Sequence, residues 1–304
     1  MRWTGEVARG DWLRERLHGW GQVGGVVPRG FEAYVRILHP ITAYRGDETA
    51  QWRWANLAER TGTVMHPLVQ SRRMFGAEPS ELSFDDGWSP SPPDEGFFDP
   101  ELLAALAVRL GKSGDAVTLG VWDGWGELHP ASTGWLIWIP LDEGQPWWRR
   151  WYHRATLPIS RRRRERELRA EQVASVDPAI RRAVERTDGD AGPLLLHLPS
   201  RDYVLLAASL SELADPAWPR SAGIGWHGSF SGPMPSLIWP DDHAWCVATE
   251  IDFDSTLVGG SRELVDAILA DDTFEAFEVG PDDDLTWDGD TVNPPVDGLS
   301  GDLA

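Results

Sequence analysis

The densest group of reactive side chains lies in residues 245–254. Residues 245–253 alternate between apolar and other side chains. Alternation of apolar and polar residues predicts a β-strand, because successive side chains of a strand point to opposite faces. The carboxylates of Glu250, Asp252 and Asp254 then share one face. Three neighbouring negative charges need compensation, and three sources are open: water, the arginines Arg161–Arg164, or a divalent cation held by oxygen ligands.

The candidate binding site extends this group toward the residues that precede it. It combines a tryptophan with carboxylates: Trp239, Asp241, Asp242, Glu250, Asp252 and Asp254. Tryptophan serves cores and interfaces alike, because it buries a large apolar area and keeps an N–H for a partner. Of the 18 tryptophans in the chain, we expect most in the core and a few at one interaction site. No catalytic residue and no metal ligand is assigned in this interpretation.

Other signatures of chemistry are missing from the sequence. The eight histidines include no H-x-x-x-H or H-E-x-x-H pair, so the common zinc signature is absent. No G-x-S-x-G nucleophile elbow occurs. The single cysteine, Cys246, lies within the alternating stretch, where we expect a buried thiol. The turn at Gly259 and Gly260 lacks the spacing of a phosphate-binding loop and predicts a cap for a following helix. We expect no cofactor.

The chain is strongly acidic, with a formal net charge of −20. Such a surface repels phosphates, whose binding depends on Lys and Arg, so a nucleic-acid partner is not expected. The charge is uneven: residues 1–148 carry 13 basic and 20 acidic groups, 149–186 carry 12 and 5, and 187–304 carry 3 and 23. This asymmetry marks either an interaction surface or a basic helix packed on its own acidic lobe.

The elements that position these residues alternate between strands and helices, which predicts a mixed α/β chain of the α+β class. We expect two lobes with mainly antiparallel sheets flanked by helices: a Trp-rich α+β lobe at 1–148, an Arg-rich helical connector at 149–190 and an acidic α+β lobe at 191–304. The strands are predicted at 33–38, 116–122, 135–139, 194–198, 203–208, 245–253 and 274–279. The principal helices are predicted at 49–59, 100–110, 160–175, 177–187 and 261–270.

Membrane association is not expected from the hydropathy pattern. No run of about 18 apolar residues occurs, so no transmembrane helix is predicted. The first residues run into charge and lack the apolar segment of a signal peptide. A cytoplasmic location is the resulting expectation.

Two stretches carry a resemblance to known proteins. The residues at 237–252 (LIWPDDHAWCVATEID), with the VGGS at 258–261 and the RDYV at 201–204, resemble an uncharacterised family of acidic, Trp-rich bacterial proteins of actinobacterial type. The likeness is clearest over 193–293. It implies a bacterial cytoplasmic protein and brings no catalytic residues. A second stretch, VPRGFEAY at 27–34, is similar to SUKH-type immunity proteins.

Two functions from different classes remain open. The favoured one is a non-catalytic, immunity-like module that binds a basic protein partner through an acidic, Trp-rich surface. The alternative is a metal-dependent, hydrolase-like enzyme that uses Glu250, Asp252 and Asp254 as metal ligands or acid/base groups. The sequence does not identify the partner, the substrate or the oligomeric state.

Overall fold

The computed structural model describes residues 1–111, 114–129, 166–185, 194–199, 201–228 and 231–295. The α-helices within these ranges are α1 Asp11–Arg14, α2 Val23–Val26, α3 Trp54–Thr61, α4 Ser71–Phe75, α5 Pro100–Leu110, α6 over 166–175, α7 Pro178–Glu185, α8 Leu210–Leu213 and α9 Arg262–Leu269. The strands are β1 Arg2–Trp3, β2 Ala33–Leu38, β3 Ile41–Arg45, β4 Glu48–Trp52, β5 Ser89–Ser91, β6 Ala116–Trp122, β7 Leu196–His197, β8 Asp202–Ser209, β9 Leu237–Pro240, β10 Cys246–Ala248, β11 Ser255–Gly260 and β12 Ala276–Val279.

One large antiparallel sheet organises the described chain. Its strand order is β1-β8-β6-β9-β10-β11-β2-β12, and β7 pairs with β8 beside β1. The structure confirms the predicted α+β class. Strands from 1–148 and from 191–304 alternate within this sheet, so the sheet itself does not separate into the two predicted lobes. Both predicted boundaries lie outside the described residues, and the division of the chain stays a prediction.

Both faces of the large sheet are buried. Helices α5, α7, α8 and α9 cover one face and pack on residues such as Val35 and Val247. The N-terminal segment with α1 and α2 covers the other face, where Tyr34, Trp239 and Cys246 lie. Because both faces of the central strands are buried, their residues do not alternate between apolar and polar types. The sequence pattern therefore does not predict where these strands end.

A second, three-stranded sheet has the order β4-β3-β5 and packs with α3 and α4 around a third core. The helix predicted at 49–59 is wrong in its first turn, because residues 48–52 form β4 in a hairpin with β3. Helix α3 begins only at Trp54. The backbone N–H groups of Trp54 and Ala55 donate to the distant Glu275 carboxylate at 2.5 and 2.8 Å, a contact that no local pattern encodes.

Several local predictions are confirmed. Strands β2 and β6 have the predicted bounds. Helix α5 begins at Pro100, where the Asp99 carboxylate accepts hydrogen bonds from two backbone N–H groups of the first turn. Helix α9 starts after Ser261, whose side chain caps it as expected. The strand predicted at 135–139 lies outside the described residues.

The region of the predicted site departs from expectation. The strand predicted through Phe253 ends at Ala248, so Glu250, Asp252 and Asp254 do not share a strand face. The glycine turn predicted before α9 is instead the end of β11, a central strand. Gly259 suits that strand because a Cβ there would collide with the ring of Phe31. Close packing, rather than turn formation, explains this glycine.

Candidate functional site

The turn between β10 and β11 holds the predicted carboxylates, and arginines neutralise them. Arg201 Nε donates to Glu250 Oε1 at 2.7 Å, and its Nη2 donates to Asp252 Oδ2 at 2.6 Å. Burial acts to lower the pKa of Arg201, but the Glu250 hydrogen bond and the two negative charges outweigh it and raise that pKa. The ring of Trp122 lies 5.1 Å from the same guanidinium carbon. This group is an ion-pair cluster that ties the turn to the start of β8.

Asp254 belongs to a separate, more deeply buried group. Its Oδ1 accepts from Arg36 Nη2 at 3.3 Å, and its Oδ2 accepts from Ser71 Oγ at 2.6 Å. Arg36 is 1 % exposed and also donates to Ser255 Oγ and to two backbone carbonyl groups at 2.9–3.1 Å. Burial lowers the pKa of Arg36. These contacts join β2, α4 and β11, which is a structural role.

The three predicted carboxylates do not come together as a metal-binding group among the described residues. Within the described residues, no group of three or more His, Cys, Asp or Glu side chains is placed to hold a metal ion. Arg201 and Arg36 pair with these carboxylates instead, and neither was among the three sources considered from the sequence. Arg161–Arg164 lie outside the described residues. Cys246 is buried, and burial raises the pKa of its thiol, which makes it a poor nucleophile.

An open depression of about 350 Å³ lies beside the end of β9. Its lining includes two of the predicted residues, Trp239 and Asp241, with residues that the sequence analysis did not select: Glu6, Ala8, Arg9, Trp12 and His243. Asp242 lies next to it in the chain but acts locally, accepting a hydrogen bond from the Ala244 N–H at 3.0 Å. Trp239 forms the buried floor and is only 1 % exposed.

His243 is held in an uncommon conformation at the rim of this depression. Its φ of +54° is the left-handed region, which costs a non-glycine residue on the order of 1–3 kcal/mol unless surrounding contacts hold it there. The imidazole stacks on Trp12 with ring centroids 4.2 Å apart and planes at 15°. Burial and the nearby Arg16 lower the pKa of His243, which favours the neutral ring. Sequence reasoning missed this pair, because Trp12 and His243 are far apart in the chain.

Among the described residues, the most exposed aromatic side chain lies on the loop between α1 and α2. Trp20 is 87 % exposed, and it stands between two glycines, Gly19 and Gly21, whose φ angles are +93° and +76°. The loop is fixed by the hydrogen bond from Gln22 N–H to the Gly19 carbonyl and by Arg29, which donates to the Gln22 side chain at 2.9 Å. The Gly-Trp-Gly spacing was the available sequence signal for this exposed ring.

A second tryptophan borders the same loop. The Leu285 N–H donates to the Gly21 carbonyl at 2.8 Å, which places Trp287 on the adjoining loop, where it is 41 % exposed. Arg72 lies 4.0 Å over the Trp287 ring. We define the tryptophan surface as these two exposed rings with the aspartates beside Trp287 in the sequence: Trp20, Trp287, Asp282, Asp284 and Asp288.

Asp290 anchors the loop that carries Trp287. Its buried carboxylate accepts hydrogen bonds from His66, at 2.8 Å, and from the backbone N–H groups of Gln70 and Asn293, at 3.2 and 2.9 Å. Burial acts to raise the pKa of Asp290, but the hydrogen bonds from Asn293, His66 and Gln70 outweigh it and lower that pKa. The second loop of the tryptophan surface is therefore held in place by a charged side chain.

Comparison of the chain with protein-family models, with curated proteins and with solved structures gave no significant match. Among the described residues, no helix has the length and hydropathy that a bilayer crossing requires.

Proposed function

We propose that this protein is a non-catalytic binding module whose tryptophan surface docks onto a basic protein partner. The observation that carries the proposal is the 87 % exposure of Trp20 on a loop fixed by its own hydrogen bonds. Tryptophan is enriched among the few residues that dominate interface energetics. A loop whose backbone is already ordered costs less entropy to order on binding.

The charge of the surface supports a basic partner. Asp282, Asp284 and Asp288 follow one another closely beside Trp287, in a chain whose net charge is −20. Asp282 is paired with Arg29 at 2.6 Å yet keeps a largely exposed carboxylate. Arg29, Arg72 and Arg73 lie against the same loops, so the negative field comes from the chain as a whole. Such a field accelerates the encounter with a positive partner and weakens as salt screens it. The proposal places this encounter in the cytoplasm, as the sequence analysis expects.

The test compares three forms of the full chain: wild type, Trp20→Ala and Tyr44→Ala. Tyr44 is a matched control, because it is an exposed aromatic side chain on β3, away from the tryptophan surface. Each form is immobilised and incubated with extract of the organism that encodes it, and captured proteins are identified and purified. Binding of the purified candidate is then measured at low and high salt.

We expect one basic protein that binds wild type and Tyr44→Ala equally. Its affinity for Trp20→Ala should fall roughly 30-fold, which corresponds to the ~2 kcal/mol of an interface hot spot. High salt should weaken all three complexes. An acidic partner would contradict the proposal, and so would a partner that binds Trp20→Ala as tightly as wild type.

A further inference from the structure

The depression beside β9 has two carboxylates with unused binding capacity. Arg9 bridges them: its Nε donates to Glu6 Oε2 at 2.7 Å and its Nη1 to Asp241 Oδ1 at 3.0 Å. The other oxygen of each carboxylate has no hydrogen bond within the described part of the chain. Both side chains remain about two-thirds exposed, at 69 % and 66 %. One guanidinium thus spans the two acids, and most of each acidic side chain remains accessible to solvent.

The walls of the depression suit the stem of a long side chain. Trp12 and Trp239 meet edge to face with centroids 6.5 Å apart. Trp239 is almost fully buried, so the aromatic surface open to a ligand is that of Trp12 and of the His243 ring stacked on it. The indole N–H of Trp12 is buried, and no residue that the structure describes accepts a hydrogen bond from it. A volume of about 350 Å³ is at the lower end of the range of small-ligand pockets.

The charge of the lining selects a cation. Glu6 and Asp241 contribute two negative charges and Arg9 one positive charge. Arg16 and Asp242, which also lie near His243, offset each other, so the acidic and arginine side chains around the depression sum to one negative charge. A planar guanidinium pairs with two acceptors at once, whereas an ammonium acts as a point charge. Its methylene stem packs on aromatic surface while the head stays at the acids.

We infer that this depression binds the guanidinium group of an arginine that the basic partner presents. The inference rests on the proposed function and adds a second contact to it, chemically distinct from Trp20. His243 acts as a positioning residue, because its stacking on Trp12 fixes one wall of the depression.

The test uses small probes rather than the partner. Isotope-labelled full chain is titrated with N-acetyl-arginine amide, with its neutral isostere N-acetyl-citrulline amide and with N-acetyl-lysine amide. The Trp12 indole N–H and the His243 ring are followed by NMR. The same titrations are repeated on Asp241→Asn and on Asp242→Asn, the neighbouring carboxylate that serves as a matched control.

We expect the arginine probe alone to give a saturable shift, with a Kd on the order of 1 mM, as is usual for so small a ligand. Asp241→Asn should weaken this binding at least tenfold, and Asp242→Asn should leave it within twofold. Equal shifts from the citrulline probe, tighter binding of the lysine probe, no saturable shift, or unchanged binding to Asp241→Asn would each overturn the inference. The spectra of the variants also show that each remains folded.

The outcome separates the two proposals. If the arginine probe fails while a basic partner still depends on Trp20, the inference falls and the proposed function stands. If the probe binds as expected but no Trp20-dependent partner exists, the depression remains a guanidinium site and the proposed function is contradicted.

Discussion

The β10–β11 turn and the depression beside β9 both contain carboxylates, but they use them differently. In the turn, Glu250 and Asp252 close onto Arg201, and Asp254 lies against the buried Arg36. In the depression, Asp241 shares one oxygen with Arg9 and leaves the other to solvent. Glu250 and Asp254 are thus largely buried with their arginines, whereas Asp241, like Asp252 at the edge of the turn, stays mostly exposed. The following predictions test this contrast.

The largest effect is expected at the buried arginine. Arg36→Ala leaves the Asp254 carboxylate without its cation in a buried setting, and we expect the free energy of unfolding to fall by about 3–5 kcal/mol. Urea unfolding measures this loss. Arg9→Ala is the control, because its ion pairs are exposed and should contribute about 1 kcal/mol or less. Equal losses in the two variants would remove the distinction between the regions.

Asp290→Asn should have an intermediate effect that depends on pH. Near pH 7 it loses charge-assisted hydrogen bonds in a buried position, which corresponds to about 1–3 kcal/mol. The pKa of Asp290 is lower in the folded state than its ordinary 3.8, so its contribution is complete above that pH and disappears as the pH falls below it. The stability curves of variant and wild type should therefore converge in acid. Parallel curves down to low pH would refute this assignment.

Arg201 tests the more exposed part of the turn. Because Arg201 and Glu250 are each about one-fifth exposed, Arg201→Ala should destabilise the protein by only about 1 kcal/mol, less at high salt. A double-mutant cycle with Glu250→Gln isolates the energy of the pair. An Arg201–Glu250 coupling energy as large as the loss of unfolding free energy in Arg36→Ala would contradict this distinction between an exposed and a buried ion pair.

The smallest effect on stability is expected at Trp20. Trp20→Ala should change the free energy of unfolding by no more than about 0.5 kcal/mol, because the ring is exposed. Trp239→Ala removes a buried ring and should cost about 3–5 kcal/mol in the same measurement. A large loss at Trp20 would mean that the ring supports the fold, which would weaken its role as a docking residue.

Local signals were enough to predict part of this fold. The bounds of α5 follow from the cap at Asp99 and the proline that opens the helix, and β2 follows from its run of β-branched and aromatic residues. Distant contacts decide the rest. Trp54 begins a helix because Glu275 caps it, and Gly259 lies in a strand because Phe31 packs there. Neither partner is visible from local periodicity.

The same limits apply to the candidate sites. The acidic stretch at 250–254 was selected because its residues are adjacent, and in the structure these residues form ion pairs. Trp239 and Asp241, two residues of the predicted binding site, line the depression, whereas Trp12 and His243 meet only through the fold. The loop that exposes Trp20 contains Gly19 and Gly21 with positive φ angles, and these angles cannot be derived from the composition.

The position of β2 between β11 and β12 has a consequence for synthesis of the chain on the ribosome. Leu38 of β2 pairs with Ser255, and Ile37 pairs with Ala276. Strand β2 therefore has no neighbour in the sheet until residues in the last third of the chain have emerged. At about 5–20 residues per second, this wait lasts on the order of 10–40 s. During that time the apolar segment Ala33–Leu38 can bind chaperones and other nascent chains. The large sheet is therefore completed only late in synthesis of the chain.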